Sequence, residues 1–98
     1  MKIRIVNTCY SVVFVAHHVA DERAAFGWVD FDSHTIYIDE TLPSYKQRET
    51  LWHEIAHCLF EEYKFPVRQS EEATVTWLGK ALADFVRSNR KFVRDYLT

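Results

Sequence analysis

His53, Glu54 and His57 stand in the order His-Glu-x-x-His, within the run Thr50-Leu51-Trp52-His53-Glu54-Ile55-Ala56-His57. Residues four apart share one face of a helix and lie about one turn apart. If this run is helical, the two imidazoles converge on one point, an arrangement suited to a zinc ion. Glu54 flanks the same face and can accept a proton from a water activated by the ion without ligating it. The chemistry these residues could do is metal-assisted hydrolysis of a carbonyl compound, with His53 and His57 as metal ligands and Glu54 as general base.

A catalytic zinc takes a third protein ligand and keeps one position open. The longer motif that adds a Gly and a third His is absent, because residues 60–64 supply neither. Glu71 and Glu72 open the next expected helix. Glu72 is the expected third ligand and Glu71 the second choice. Val75 and Gly79 continue the row of Glu72, and Gly79 would let that row pack closely on the first helix. Acids in a first helical turn also complement the macrodipole with no metal present. Glu61, four residues beyond His57, would sit a turn past the ion.

The elements that must position these groups follow from patterning. Alternating or β-branched and aromatic runs at residues 3–6, 10–15, 28–31 and 35–38 predict a meander of three or four strands. Asp32-Ser33-His34 supplies the last hairpin turn, with His34 exposed. Ser44 and Gln47 form a capping-box pattern for a helix to about Glu62. Leu51, Ile55, Cys58 and Leu59 are its core stripe, which leaves both motif histidines on a flank. Phe65-Pro66 ends that run. Ser70 caps a second helix to about Ser88, and the tail from Asn89 to Thr98 either continues it or turns at Asn89 into a short last helix. His17-His18-Val19-Ala20 could extend the second strand or begin a helical turn; on a strand His17 and His18 would face opposite ways, one buried and one exposed. The fold class expected is α+β: a small antiparallel or mixed sheet packed on two or three helices, with zinc between the two long ones.

Composition bounds the rest. The chain has 98 residues, 48% apolar and 27% charged, with net charge −2. These values predict a single globular domain over residues 1–98 and no nucleic-acid partner. No apolar run approaches a membrane span, and the opening residues lack a signal-peptide pattern. Cys9 and Cys58 are too few for a disulfide framework, so free thiols in a reducing, cytoplasmic setting are expected. Oligomeric state is not specified by these features.

Taken together, the motif, the short strands before it and the Glu followed by apolar or small residues at Val75, Leu78 and Gly79 resemble the small gluzincin-type zincin metallopeptidases. The likeness is to compact phage and mobile-element metallopeptidases and the related repressor-cleaving family. The resemblance implies zinc held by His53, His57 and Glu72, Glu54 as general base, and a peptide or protein substrate. It also implies an edge strand, expected at residues 35–38, that pairs with an extended peptide. Tyr37, Tyr63 and His34 are the candidates for stabilising an oxyanion, and none matches the family pattern clearly. The alternative function is therefore a zinc-stabilised binding or regulatory module that cleaves nothing.

Overall fold

The computed structural model describes residues 1–23, 25–64 and 70–98. In chain order the elements are β1 (Lys2–Ile5), β2 (Thr8–Val15), α1 (His17–Glu22), β3 (Gly27–Asp30), β4 (Thr35–Asp39), α2 (Ser44–Tyr63), α3 (Glu71–Ser88), α4 (Arg90–Phe92) and a closing π-helical turn, Val93–Leu97. The architecture is α+β, with a four-stranded mixed sheet in the order β1-β2-β4-β3. The Phe65-Pro66 break expected after α2 lies outside the described residues.

The sheet is not a meander. β2 and β4 are parallel, from Ser11 opposite Thr35 to Val15 opposite Asp39. The cause lies at His17 and His18, which begin α1 instead of extending β2. Both are exposed, not split between core and solvent. A parallel pairing needs such a crossover. It inserts β4 beside β2 and moves β3 to the edge, so the strand at residues 35–38 is central and the edge expected there belongs to β3.

α2 lies across the sheet. Leu51, Ile55, Cys58 and Leu59 pack with Ile3, Ile5, Tyr10, Val12, Ile36 and Ile38 in one apolar core. Two polar anchors hold the ends of this helix. Near its start, Asp39 Oδ1 accepts from Thr41 N and Oγ1 at 2.9 and 2.7 Å. Asp39 Oδ2 lies 2.8 Å from His17 Nδ1. The Ser44–Gln47 capping box does not form: Pro43 occupies the N-cap, and Gln47 Nε2 donates to the Glu40 and Leu42 carbonyls at 3.1 Å each. Near its end, Glu62 accepts from Thr8 Oγ1 and the Tyr10 hydroxyl, both at 2.6 Å. Desolvation opposes ionisation of Glu62, but these two donors hold its pKa below the usual carboxylate value.

The remaining elements close the two sides. Of the two outcomes open for the tail, the chain takes the turn at Asn89, which ends α3. The Asn89 side chain binds the β1 backbone both ways, accepting from Arg4 N and donating to Arg4 O at 2.7 Å each. Arg4, at the outer edge of the sheet, is thereby paired on its outward side. Ser70 Oγ caps α3 by accepting from Ala73 N at 3.1 Å. α3 runs antiparallel to α2, because Trp77 meets the rings of Phe60 and Tyr63 while Phe85 meets Trp52. The row of α3 that faces the core is Ala81 and Phe85, with Trp77 partly buried beside it. Val75 is 58% exposed, and a Cβ built at Gly79 would meet nothing within 4 Å. The row expected to carry Glu72 toward α2 therefore faces solvent, and Gly79 does not bring these helices together.

Gly27 is the glycine that close packing requires. A Cβ there would lie 2.8 Å from both Thr50 Cγ2 and the Tyr37 carbonyl oxygen. Gly27→Ala is expected to destabilise the fold by about 1–3 kcal/mol through overpacking. Gly79→Ala should stabilise it by about 0.5–1 kcal/mol through helix propensity. Urea denaturation of the two variants checks both signs.

A second prediction concerns pH. The Asp39 hydrogen bond raises the pKa of His17, and the bonds from His17 and Thr41 lower that of Asp39. The His17 contribution is complete below its unfolded pKa of about 6.5 and is lost as pH rises through the higher folded value. The Asp39 contribution is present above its unfolded value and is lost as pH falls through the lower folded one. Melting temperature measured from about pH 6 to about pH 8.5 should fall less in His17→Gln than in the wild type.

Candidate metal centre

The stripe Leu51, Ile55 and Leu59 takes the core side of α2. That leaves His53 and His57 exposed, one turn apart, on its flank. Their ring centroids are 4.9 Å apart with an interplanar angle of 76°. Among the described residues, His53, Glu54 and His57 form a group whose ligand atoms all lie within 4.8 Å of one another.

Glu54 differs from its neighbours in burial. It belongs to the inner row with Leu51 and Cys58 and is 5% exposed. Its Oε2 is buried and receives no hydrogen bond from the described residues. Leaving a buried polar oxygen unsatisfied costs about 1–3 kcal/mol, more when it is charged. Protein sites retain such an atom where it has work with an ion or a water. Two imidazoles with a carboxylate oxygen of Glu54 in one group of ligand atoms fit a divalent metal of the zinc type.

Glu54 and His53 line a cleft of about 230 Å³ with Phe26, Gly27, Lys46, Glu49 and Thr50. Lys46 Nζ sits 5.0 Å from the centroid of the Phe26 ring and 3.1 Å from Glu49 Oε1. Sequence reasoning missed Phe26, Lys46, Glu49 and Thr50. A signal for three of them existed in the helical rows upstream of the motif: Lys46 and Thr50 precede Glu54 by eight and four residues, and Glu49 precedes His53 by four. Phe26 carried none, because the edge position of β3 depends on the crossover.

Glu71 and Glu72 are exposed in the first turn of α3 and lie outside the compact His53–Glu54–His57 group. The antiparallel register of α3 puts its start at the C-terminal end of α2. Among the expected oxyanion candidates, Tyr37 stacks on Trp28 at 4.9 Å. The Tyr63 hydroxyl donates to Asp84 Oδ2 at 3.4 Å. His34 sits edge-on to Tyr10 at 5.2 Å. None of the three lines the Glu54 cleft.

The model of the IrrE N-terminal-like domain, peptidase family M78, matches residues 7–83. The chain belongs to this family. The match runs from the β1–β2 turn into α3 and includes the His-Glu-x-x-His motif, so the small metallopeptidase-like domain suggested by the sequence is the family this chain shares. No curated protein and no solved structure gives a match. Within the IrrE-like domain, no helix among the described residues is long and apolar enough to cross a membrane.

Cys58 reports how firmly α2 is seated. It is fully buried, and burial, with the charges of Glu54 and Glu62, pushes its thiol up to about 12, whereas Cys9 is exposed. One thiol of the native chain should therefore react readily with a disulfide reagent at pH 8. Cys9→Ser should remove that reactivity until the protein is unfolded. Rapid native labelling of Cys58 would show that the helix is not held as described.

Proposed function

We propose that this IrrE-like domain is a zinc-dependent peptidase. The observation that carries the reading is the buried Glu54 carboxylate, grouped with His53 and His57 at a cleft that Gly27 of the edge strand also lines. His53 and His57 would hold the ion. An acidic side chain from the first turn of α3 would complete the set, with Glu72, favoured by the family pattern, ahead of Glu71. When bound, zinc supplies a Lewis acid that acidifies water and stabilises negative charge on a carbonyl oxygen.

The chain's own residues supply the rest. Asp39 N donates to the Phe26 carbonyl at 2.9 Å. By antiparallel alternation the backbone groups of Trp28 and Asp30 also face β4, while those of Gly27 and Val29 face outward. An extended peptide can add to this edge as a fifth strand. Main-chain bonds would then fix its register, and the cleft around Lys46, Glu49 and Phe26 would receive a side chain. Glu54 takes a proton from the attacking water and returns it to the departing amine.

Glu54→Gln should retain zinc and lose peptidase activity by at least about a hundredfold. Zinc retained with activity unchanged would refute the role of Glu54. Loss of a direct ligand should weaken zinc binding by more than about a hundredfold, beyond the range of outer-shell changes. Glu72→Ala is expected to do so and Glu71→Ala is not; the reverse result, read by competition with a metallochromic chelator, would move the assignment.

A second reading, a zinc-stabilised regulatory or binding module, draws on the engagement of Tyr37, Tyr63 and His34 away from the cleft. In both readings chelation lowers the melting temperature. Turnover of a peptide library by the zinc-loaded chain separates them.

A further inference from the structure

The cleft that holds Glu54 has a fixed cation at one end. Of the residues that line it, Lys46 is the one Lys or Arg. Its ammonium sits 5.0 Å from the centroid of the Phe26 ring and 3.1 Å from Glu49 Oε1. The two charged partners are not equally enclosed: the Lys46 side chain is 29% exposed and that of Glu49 is 66% exposed. An exposed pair of this kind contributes little, so Glu49 can swing away while the ring keeps the cation in place. An ammonium also has three donors, of which Glu49 takes one.

Chain direction decides which part of a peptide reaches Lys46. Glu62, at the end of α2, meets Thr8 at the start of β2, and Asp39 ends β4 just before α2 begins. α2 therefore runs against β2 and β4, and with β3, which is antiparallel to β4. Gly27, at the start of β3, is level with Thr50. A peptide laid antiparallel on the β3 edge thus runs against α2. Its segment beyond a carbonyl held at Glu54 heads for Phe26 and Lys46. Lys46 precedes Glu54 by eight residues, about 12 Å of helix, a span covered by about three or four residues of extended chain.

We propose that Lys46, steadied by Phe26, is a specificity-determining residue that selects peptides with an acidic side chain about three or four residues beyond the bond cleaved. The inference rests on the peptidase reading for the cut, and on the cleft alone for what is bound. The incoming carboxylate displaces Glu49 from the ammonium or shares it. A basic side chain at that position meets Lys46 in a cleft of about 230 Å³, where like charges repel. Glu49 does not reverse this preference, because Lys46 already neutralises it and water screens it. A metal ion on His53, which lines the same cleft, adds positive charge and favours the acidic ligand further.

The test is capture of a random decapeptide library, acetylated and amidated so that every carboxylate is a side chain, on the zinc-loaded Glu54→Gln chain. The expected result is enrichment of Glu and Asp by at least about threefold over the input. Adding Lys46→Met should remove the enrichment, and adding Lys46→Glu should replace it with enrichment of Lys and Arg. Lys46 stands in the first turn of α2, where an acid suits the helix dipole, so the charge reversal should fold. Cutting of the same library by the zinc-loaded wild type, with the products sequenced, should place the acidic residue on the C-terminal side of the cut. Captured peptides without acidic enrichment, or an enrichment unchanged by Lys46→Glu, would overturn the role of Lys46, while cutting by the wild type would still uphold the peptidase reading. An acidic residue before the cut would overturn the antiparallel direction. Capture that follows the charge at residue 46 with no cutting by the wild type would overturn the peptidase reading and leave Lys46 as a selector of bound peptides. A library neither captured nor cut would overturn both.

Discussion

A buried carboxylate, one oxygen of which takes no donor from the described residues, is the constraint around which the rest of this domain is arranged. Glu54 could have been solvated by a small rotation of α2, but that rotation would lift Leu51, Ile55 and Leu59 out of the core. The 3.6-residue period lets one helix do both jobs. Its inner rows carry the apolar stripe and Glu54, and its flank carries His53 and His57. The seating of α2 therefore sets the geometry of the site. The Glu62 clamp to Thr8 and Tyr10, the Asp39 turn and the Gly27–Thr50 contact all act on that seating.

The two edges of the sheet differ in their backbone pairing. Unpaired edge strands invite association. At β1 the side chain of Asn89 satisfies both backbone groups of Arg4. At β3 Gly27 borders the cleft that holds Glu54, and the backbone groups of Gly27 and Val29 face away from β4. The same glycine that lets Thr50 approach the sheet thus brings the open edge close to the reactive carboxylate.

Local chemistry was legible in the sequence and non-local pairing was not. The His-Glu-x-x-His spacing, the Ser70 cap and the polar turn before Thr35 depend on neighbours within a few residues, and each forms as expected, whereas local pattern alone leaves the break at Asn89 open. The strand order depends on whether His17-His18 continues a strand or starts a helix, a choice decided by where β4 finds a partner. Gly79 shows the same limit. Its spacing from Glu72 and Val75 was read correctly as a helical row, but Trp77, Ala81 and Phe85 supply the bulk that meets α2, and this turns the Gly79 row to solvent. Gln47 does stand at the helix start, but with Pro43 at the N-cap its amide bonds back to the preceding loop.

The central claim is that the exposed flank of α2 is a metal centre built from imidazoles and oxygen. Zinc-edge X-ray absorption of the stoichiometrically loaded chain tests it most directly, because imidazole, oxygen and thiolate scatter differently and Cys58 stands next to His57 in the sequence. The account predicts two imidazole ligands completed by oxygen donors and no sulfur. A sulfur ligand, or a spectrum without the imidazole signature, would contradict it.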